Sequence, residues 1–447
     1  PMILDGKEPI GSMGDTARAA AMSDQPRSFF DYFFQNFAQV TNPPLDHLRE
    51  RLVTDLTCYV GHRPNVFAPK TLIPLAPGLE LTSPILDPEQ IWALRDLGAT
   101  SPNERSFDSV EVDITFARVK GPRGLGLALE EVSDRVLSAI EGGCSVIILT
   151  DRRAKHSRPP IPSLLALQAA SRALDDCGRR LDASIVVETG DARTTHHIAA
   201  LISFGAAAVC PYLTFETARR GAHSKLAKAD REAAASNLHR AYDEGLLKIM
   251  SKMGISTVQG YQNAKLHTPL GLSQDFLDAF FPGFESVIGG HDLEHVAAMV
   301  LSQTERDRTH APDELVDIYR LREHRKGAQG EVHGMTAELS KLVHAFTAEP
   351  TGALDAWADY QAYVERSRHR GPSHLRDLWR LPDAEVPAPI EDVQPRSEIT
   401  RLFGTGAMSF GAISAESQRD LIKGMRAVGG RSASGEGGEN PYYAVDG

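Results

Sequence analysis

The feature that most constrains this chain runs from about Leu81 to about Gly290, where short β-branched runs alternate with stretches rich in Ala and Leu. The strand candidates, in order, are "SPIL", "VEVDITFA", "CSVIILTD", "ASIVVETG", "AAAVCPYL" and "GISTVQGY". Between them, "LEEVSDRVLSAIEGG", "IPSLLALQAASRALDDCG", "TTHHIAALISFG" and "NLHRAYDEGLLKIMSKMG" carry apolar residues at i, i+3 and i+4 spacing, and most close on glycine. Strands alternating with covering helices imply a parallel sheet, so the fold class is α/β. The alternation fits a doubly wound sheet or a closed (β/α) barrel, and six strands with irregular units lean toward a barrel-like domain.

On either side of this region the pattern changes. Ahead of it, "RSFFDYFFQNFAQVTNPPLDHLRERLVTDLTCYVG" reads as two helices split at Pro43-Pro44, with aromatics spaced to pack on the domain. Behind it, "ELVDIYRLREHRKGAQGEVHGMTAELSKLVHAFTAEP" and "ALDAWADYQAYVERSRHRG" are helical and polar, and a proline-punctuated linker leads to a second domain near Arg401. The chain opens without an initiator Met or a charged-then-apolar leader and stops inside "SASGEGGENPYYAVDG", so both ends are expected to be internal to a longer protein.

Composition narrows the function classes. A net charge of -11 with no Lys/Arg block disfavours a binder that tracks nucleic-acid phosphates. Cys58, Cys144, Cys177 and Cys210 are scattered without C-x-x-C spacing, which fits a reduced, cytoplasmic chain. The longest apolar run, "HIAALISFGAAAVCPYL", is too short to cross a bilayer, so no membrane segment is expected.

Three motifs carry possible chemistry. In "TGAMSFGAISAESQRDLIKGMRAVGGRSASGEGGE", a small-residue strand leads into an amphipathic helix from about Ala415 and then a glycine loop. On the carboxyl face of a barrel, Met408, Ser409 and Gly411 would sit where a flat cofactor can rest, although a tight turn packed in a core has the same pattern. The loop offers Ser432, Ser434 and Glu436, without the Lys-Ser/Thr of a P-loop. In "VVETGDARTTHHIAALISFGAAAVCPYL", a helix N-terminus follows a strand as in phosphate-gripping barrels, but the second strand closes on Cys210-Pro211 instead of a glycine and an arginine. His196 and His197 follow a Thr cap without a Glu or His at i+3 or i+4, which makes them poor metal ligands, and Lys252 reads as a solvated helix-end lysine.

The stretches "DYFFQNFAQVTNPPLDHLRE", "VVETGDARTTHHIAALISFGAAAVCPYLTFE", "GLLKIMSKMGIST" and "TGAMSFGAIS…GGRSASGEGGE" resemble the large (alpha) subunit of glutamate synthase, collinearly from about Pro9 to Glu439. The resemblance implies a four-part enzyme: an N-terminal glutaminase, a central barrel-like domain, an FMN barrel and a C-terminal β-helix. By that layout residues 1–24 end the linker after the glutaminase, and 25–333 form the central domain, an aldolase-type TIM-barrel relative. Residues 334–400 are then a helical, proline-punctuated linker, and 401–447 the first βα unit of the second, (β/α)8 FMN barrel.

The implied reaction transfers the glutamine amide reductively to 2-oxoglutarate, giving two glutamates. Ammonia travels inside the protein, and FMN, supplied with electrons through a 3Fe-4S cluster, delivers hydride. The electron donor is a pyridine-nucleotide-linked small (beta) subunit or ferredoxin, and the intact enzyme is an oligomer. By position Ala407, Met408 and Ser409 match the strand beside the flavin, and Glu436 matches the acid at the tunnel exit, the candidate catalytic group. None of the four cysteines has the spacing of cluster ligands, so the segment alone is expected to retain no cofactor and to be inactive. Two readings of other classes stand beside this one: a stand-alone flavin- or phosphate-binding barrel oxidoreductase, and a non-catalytic interaction module.

Overall fold

The computed structural model describes residues 2–9, 17–25, 27–36, 49–63, 67, 78–97, 107–220, 231–308, 331, 333, 336–347, 353–369, 371–380, 382 and 386–440. The chain divides into two compact units, one of Pro1–Asn36 and Arg51–Leu378, the other of Phe37–Glu50 and Trp379–Gly447.

In the first unit the described strands are β1 (Phe33–Gln35), β2 (Cys58–Gly61), β3 (Gly78–Leu81), β4 (Ser109–Asp113), β5 (Val146–Thr150), β6 (Ser184–Glu188), β7 (Ala208–Cys210) and β8 (His267–Pro269). The central sheet is parallel, in the order β4-β5-β6-β7, with Val146 opposite Ser184 and Val187 opposite Val209. This is the α/β architecture expected from the alternation, and β5 and β6 are buried at every position, as strands covered on both faces must be.

Successive side chains point to opposite faces, and the two faces meet different neighbours. Ile147, Leu149, Ile185 and Val187 share a core with the helices Arg123–Glu141, Ser163–Asp176 and Thr195–Ser203. Val146, Ile148, Val186 and Ala208 pack with Ile91 and Leu94 of the helix Pro88–Asp96 and with Val60 of the β2-β3 hairpin.

Two strand candidates come out differently. "SPIL" makes a single parallel bridge, Ile85 to Val209, with the Leu86 N–H donating to Val209 O (2.9 Å). It stops there because Asp87 starts a helix: its carboxylate accepts from the Gln90 N–H (2.8 Å) while the Gln90 side chain accepts from the Asp87 N–H (2.9 Å). "GISTVQGY" is not a strand. Thr257 bridges Asp55, then its hydroxyl accepts from the Gly260 N–H (3.3 Å) and caps the helical turn Val258–Tyr261.

The aromatic run ahead of the domain is likewise no helix. Phe29, Phe30, Tyr32 and Phe33 are all buried, and four of five successive helical positions cannot all face one core. A 3-10 turn over Phe29–Tyr32 feeds β1, which pairs antiparallel with β8. Phe29 meets Phe33, Phe276 and Phe281 at centroid distances of 5.5, 6.1 and 6.1 Å. The expected Pro43-Pro44 break lies outside the described residues, as does all of "ELVDIYRLREHRKGAQG". The polar stretches beyond form the helices Ala337–Thr347 and Ala353–His369. No helix among the described residues is long and apolar enough to cross a membrane.

The second unit holds the helix Ala415–Ala427, capped by the Ser414 hydroxyl accepting from the Ser417 N–H (3.3 Å). The segment before it is extended but forms no ladder, only a parallel bridge from Gly404 to Arg431. The strand expected at 407–409 is absent because the one described backbone beside it is a glycine loop, whose turns cannot sustain a regular register.

Candidate functional site

The expected site residues of the second unit converge on that loop. The Thr405 N–H donates to Arg431 O (3.1 Å), Met408 N–H to Ala433 O (3.3 Å) and Phe410 N–H to Gly438 O (3.1 Å). The buried Gln418 side chain, from the helix, donates to Met408 O (3.2 Å) and Gly438 O (3.3 Å) and accepts from the Asn440 N–H (3.3 Å). One helix residue thus ties both halves of the turn together. Ser409 is fully buried, Met408 partly, and Ala407 exposed.

Glu436 is exposed and flanked by glycines, of which Gly435 and Gly438 hold φ of +62° and +74°. Its carboxylate makes no hydrogen bond or ion pair among the described residues. Backbone bonds and Gln418 therefore hold the loop, and the acid is left to face outward.

In the first unit the carboxyl ends of β5 and β6 carry a charge cluster that sequence reading missed. Glu188, with no exposed surface, accepts from Arg95 (2.7 Å), Arg152 (2.6 Å) and the Thr150 hydroxyl (2.6 Å). Arg95 also pairs with Glu111 and Arg152 with Glu216 (3.3 Å), and the Arg152 guanidinium lies 4.2 Å from the Tyr212 ring centroid. An acid ending an otherwise apolar strand in "SIVVE" was the available signal.

A cavity of about 390 Å³ opens beside these strand ends, with Phe29, Ile161 and Val300 and also Asp151, Asp191 and Arg193 in its lining. Asp151 accepts from the Thr189 hydroxyl (2.6 Å) and the Gly190 N–H (3.0 Å), and burial pushes its carboxyl up to about 6. Burial also raises Asp191, which accepts from the Ser163 N–H (3.4 Å) and hydroxyl (3.2 Å).

The helix N-terminus considered for phosphate is already engaged. The Thr194 hydroxyl accepts from the His197 N–H (3.3 Å), and the buried Thr195 hydroxyl donates to the Glu8 carboxylate, an anion where a phosphate would lie. His197 stacks on Phe30 at 4.5 Å, and its Nδ1 accepts from the Arg193 N–H (3.2 Å). Lys252 is partly exposed at the end of its helix.

The glutamate synthase central domain family model matches residues 1–273, and that of the conserved region in glutamate synthase matches 335–446. The glutamate synthase [NADPH] large chain of Bacillus subtilis is 36% identical over 449 residues, covering 100% of this chain and 28% of that protein. The glutamate synthase [NADH] of Schizosaccharomyces pombe is 36% identical over 451 residues (99% and 21%). The chloroplastic ferredoxin-dependent enzyme of Oryza sativa subsp. japonica is 36% identical over 455 (98% and 27%). The chain therefore spans less than a third of the length of these relatives. A solved mandelate oxidase mutant with an FMN adduct covers 56% of the chain at 12% identity and a TM-score of 0.28, too low to inform the fold. With one family model covering more than half the chain and a second most of the rest, this chain belongs to the glutamate synthase family.

Proposed function

We propose that the chain is part of a glutamate synthase, an oxidoreductase that transfers the glutamine amide nitrogen to 2-oxoglutarate and yields two glutamates. The observation that carries this reading is the collinear match of both family models. In it, residues 1–24 are linker, 25–333 the central domain, 334–400 a second linker and 401–447 the start of the FMN-binding barrel. The central sheet is then a barrel relative whose inner face is filled by the helix Pro88–Asp96 and by the Arg95–Glu188–Arg152 cluster. It walls the ammonia route and separates two active sites. The 3Fe-4S ligands and the glutaminase nucleophile are assigned to the rest of the protein, and electrons to a small subunit or ferredoxin.

The residues before the loop suit a flat ring. Gly404, Gly406 and Ala407 are small and exposed, and a Cβ added at Gly406 would meet nothing within 4 Å. Bound there, FMN would supply hydride chemistry. Ala407 and Met408 would line its approach, and Ser409 would fix the backbone from beneath. Glu436, exposed and without a partner among the described residues, would receive ammonia and would repel a flavin phosphate.

The test is Glu436→Ala in the full-length enzyme. Glutamine consumption should outrun 2-oxoglutarate consumption while the flavin spectrum is unaltered. A ratio that stays at one while both rates fall, or loss of FMN on purification, overturns the role of Glu436.

A further inference from the structure

The cavity at the strand ends of the first unit has no part in the function proposed above, yet its chemistry is specific. Its volume of about 390 Å³ is within the range of small-molecule sites. Its lining includes the apolar Phe29, Ile161 and Val300 together with Asp191, Arg193 and Lys155. Among the described residues, both hydrogen bonds to the Asp191 carboxylate end on Oδ2. Among the same residues, the exposed Arg193 guanidinium and Lys155 ammonium make no ion pair or side-chain hydrogen bond. By contrast Asp151 is saturated by the Thr189 hydroxyl and the Gly190 N–H, and His156 is paired with Glu305 (3.0 Å).

Asp191 and Arg193 stand two residues apart on the turn between β6 and the helix Thr195–Ser203, which brings an acceptor and a cation to one partly apolar cavity. A ligand carrying only an anion would meet Asp191 as a repulsive neighbour, and one carrying only a cation would meet Arg193 and Lys155. A molecule with both charges on adjoining atoms and an apolar tail satisfies all three groups. We propose that this cavity binds an α-amino acid with an apolar side chain, its ammonium on Asp191, its carboxylate on Arg193 and Lys155, and its side chain against Phe29, Ile161 and Val300.

Titration calorimetry of the protein with L-methionine tests this. The expected result is a saturable, one-site heat. The matching 2-oxo acid, which lacks the ammonium, and 3-(methylthio)propylamine, which lacks the carboxylate, should each bind at least about tenfold more weakly. Arg193→Gln should weaken L-methionine and the oxo acid while sparing the amine. Asp191→Asn should do the reverse, weakening L-methionine and the amine, and this crossed pattern separates lost contacts from misfolding. Absence of saturable heat up to about 10 mM, equal binding of all three probes, or an unchanged affinity in the Lys155→Gln/Arg193→Gln double variant would each overturn the proposal.

Discussion

Glu188 shows how one side chain can decide what a sheet end is able to do. It stands fully buried between two arginines, so Glu188→Ala would leave Arg95 and Arg152 without their shared partner, at a cost of about 3–5 kcal/mol. Urea unfolding reads this directly, and a loss under about 1 kcal/mol would mean that water replaces the carboxylate. Two histidines couple stability to pH. Burial lowers His197 and His267 to about 3, against an ordinary 6.5. The unfolded chain therefore takes up their protons first, so their stabilisation is complete above about 6.5 and is lost as pH falls toward 3. Asp151 has the opposite sign: its contribution is full below 3.8 and is lost as pH rises through about 6. His267→Asn isolates one histidine. Its stability relative to the parent should improve as pH falls below about 6.5, by up to about 1.4 kcal/mol per pH unit. A difference that stays flat from pH 7 to 4 would show that His267 titrates normally.

At the scale of elements, propensity and packing can be set against each other at Gly124. Gly124 is the second residue of the helix Arg123–Glu141, where alanine is the better helix former by up to about 1 kcal/mol, so Gly124→Ala should stabilise on propensity alone. A Cβ there, however, would stand 2.9 Å from Ala117 O and 3.0 Å from the Lys120 Cβ, and backbone cannot yield as a side-chain tip can. The net effect expected is a loss of about 1–3 kcal/mol, seen as a lower thermal midpoint, and a rise would show that the turn at Arg118–Lys120 relaxes freely. The same competition explains which elements the sequence reveals. β4 to β7 and their helices follow apolar periodicity, because burial on both faces demands it. "SPIL" and "GISTVQGY" have strand-like composition, yet local caps at Asp87 and Thr257 end or replace the strand.

For the molecule as a whole, Arg380, Arg396 and Arg401 are exposed, whereas the central sheet is buried. Limited trypsin digestion should cut at Arg380, Arg396 or Arg401 well before any site within 123–220, because cleavage requires local opening and the central sheet opens last. Early loss of a fragment containing β5 and β6 would contradict that order. The α/β class and the family were legible in the sequence, since these rest on periodicity and on long collinear motifs carried by the chain in one dimension. The sequence also brought Met408 and Ser409 near the glycine loop, because an extended segment, a helix and a loop within forty residues leave few ways to meet. Folding in three dimensions is what joins Arg95, Arg152 and Glu188 in one cluster and sets Asp191 and Arg193 in one cavity with Phe29 and Val300. Those partners are far apart along the chain, and no local pattern records which distant side chains a buried charge will need; packing selects them by the cost of leaving that charge alone.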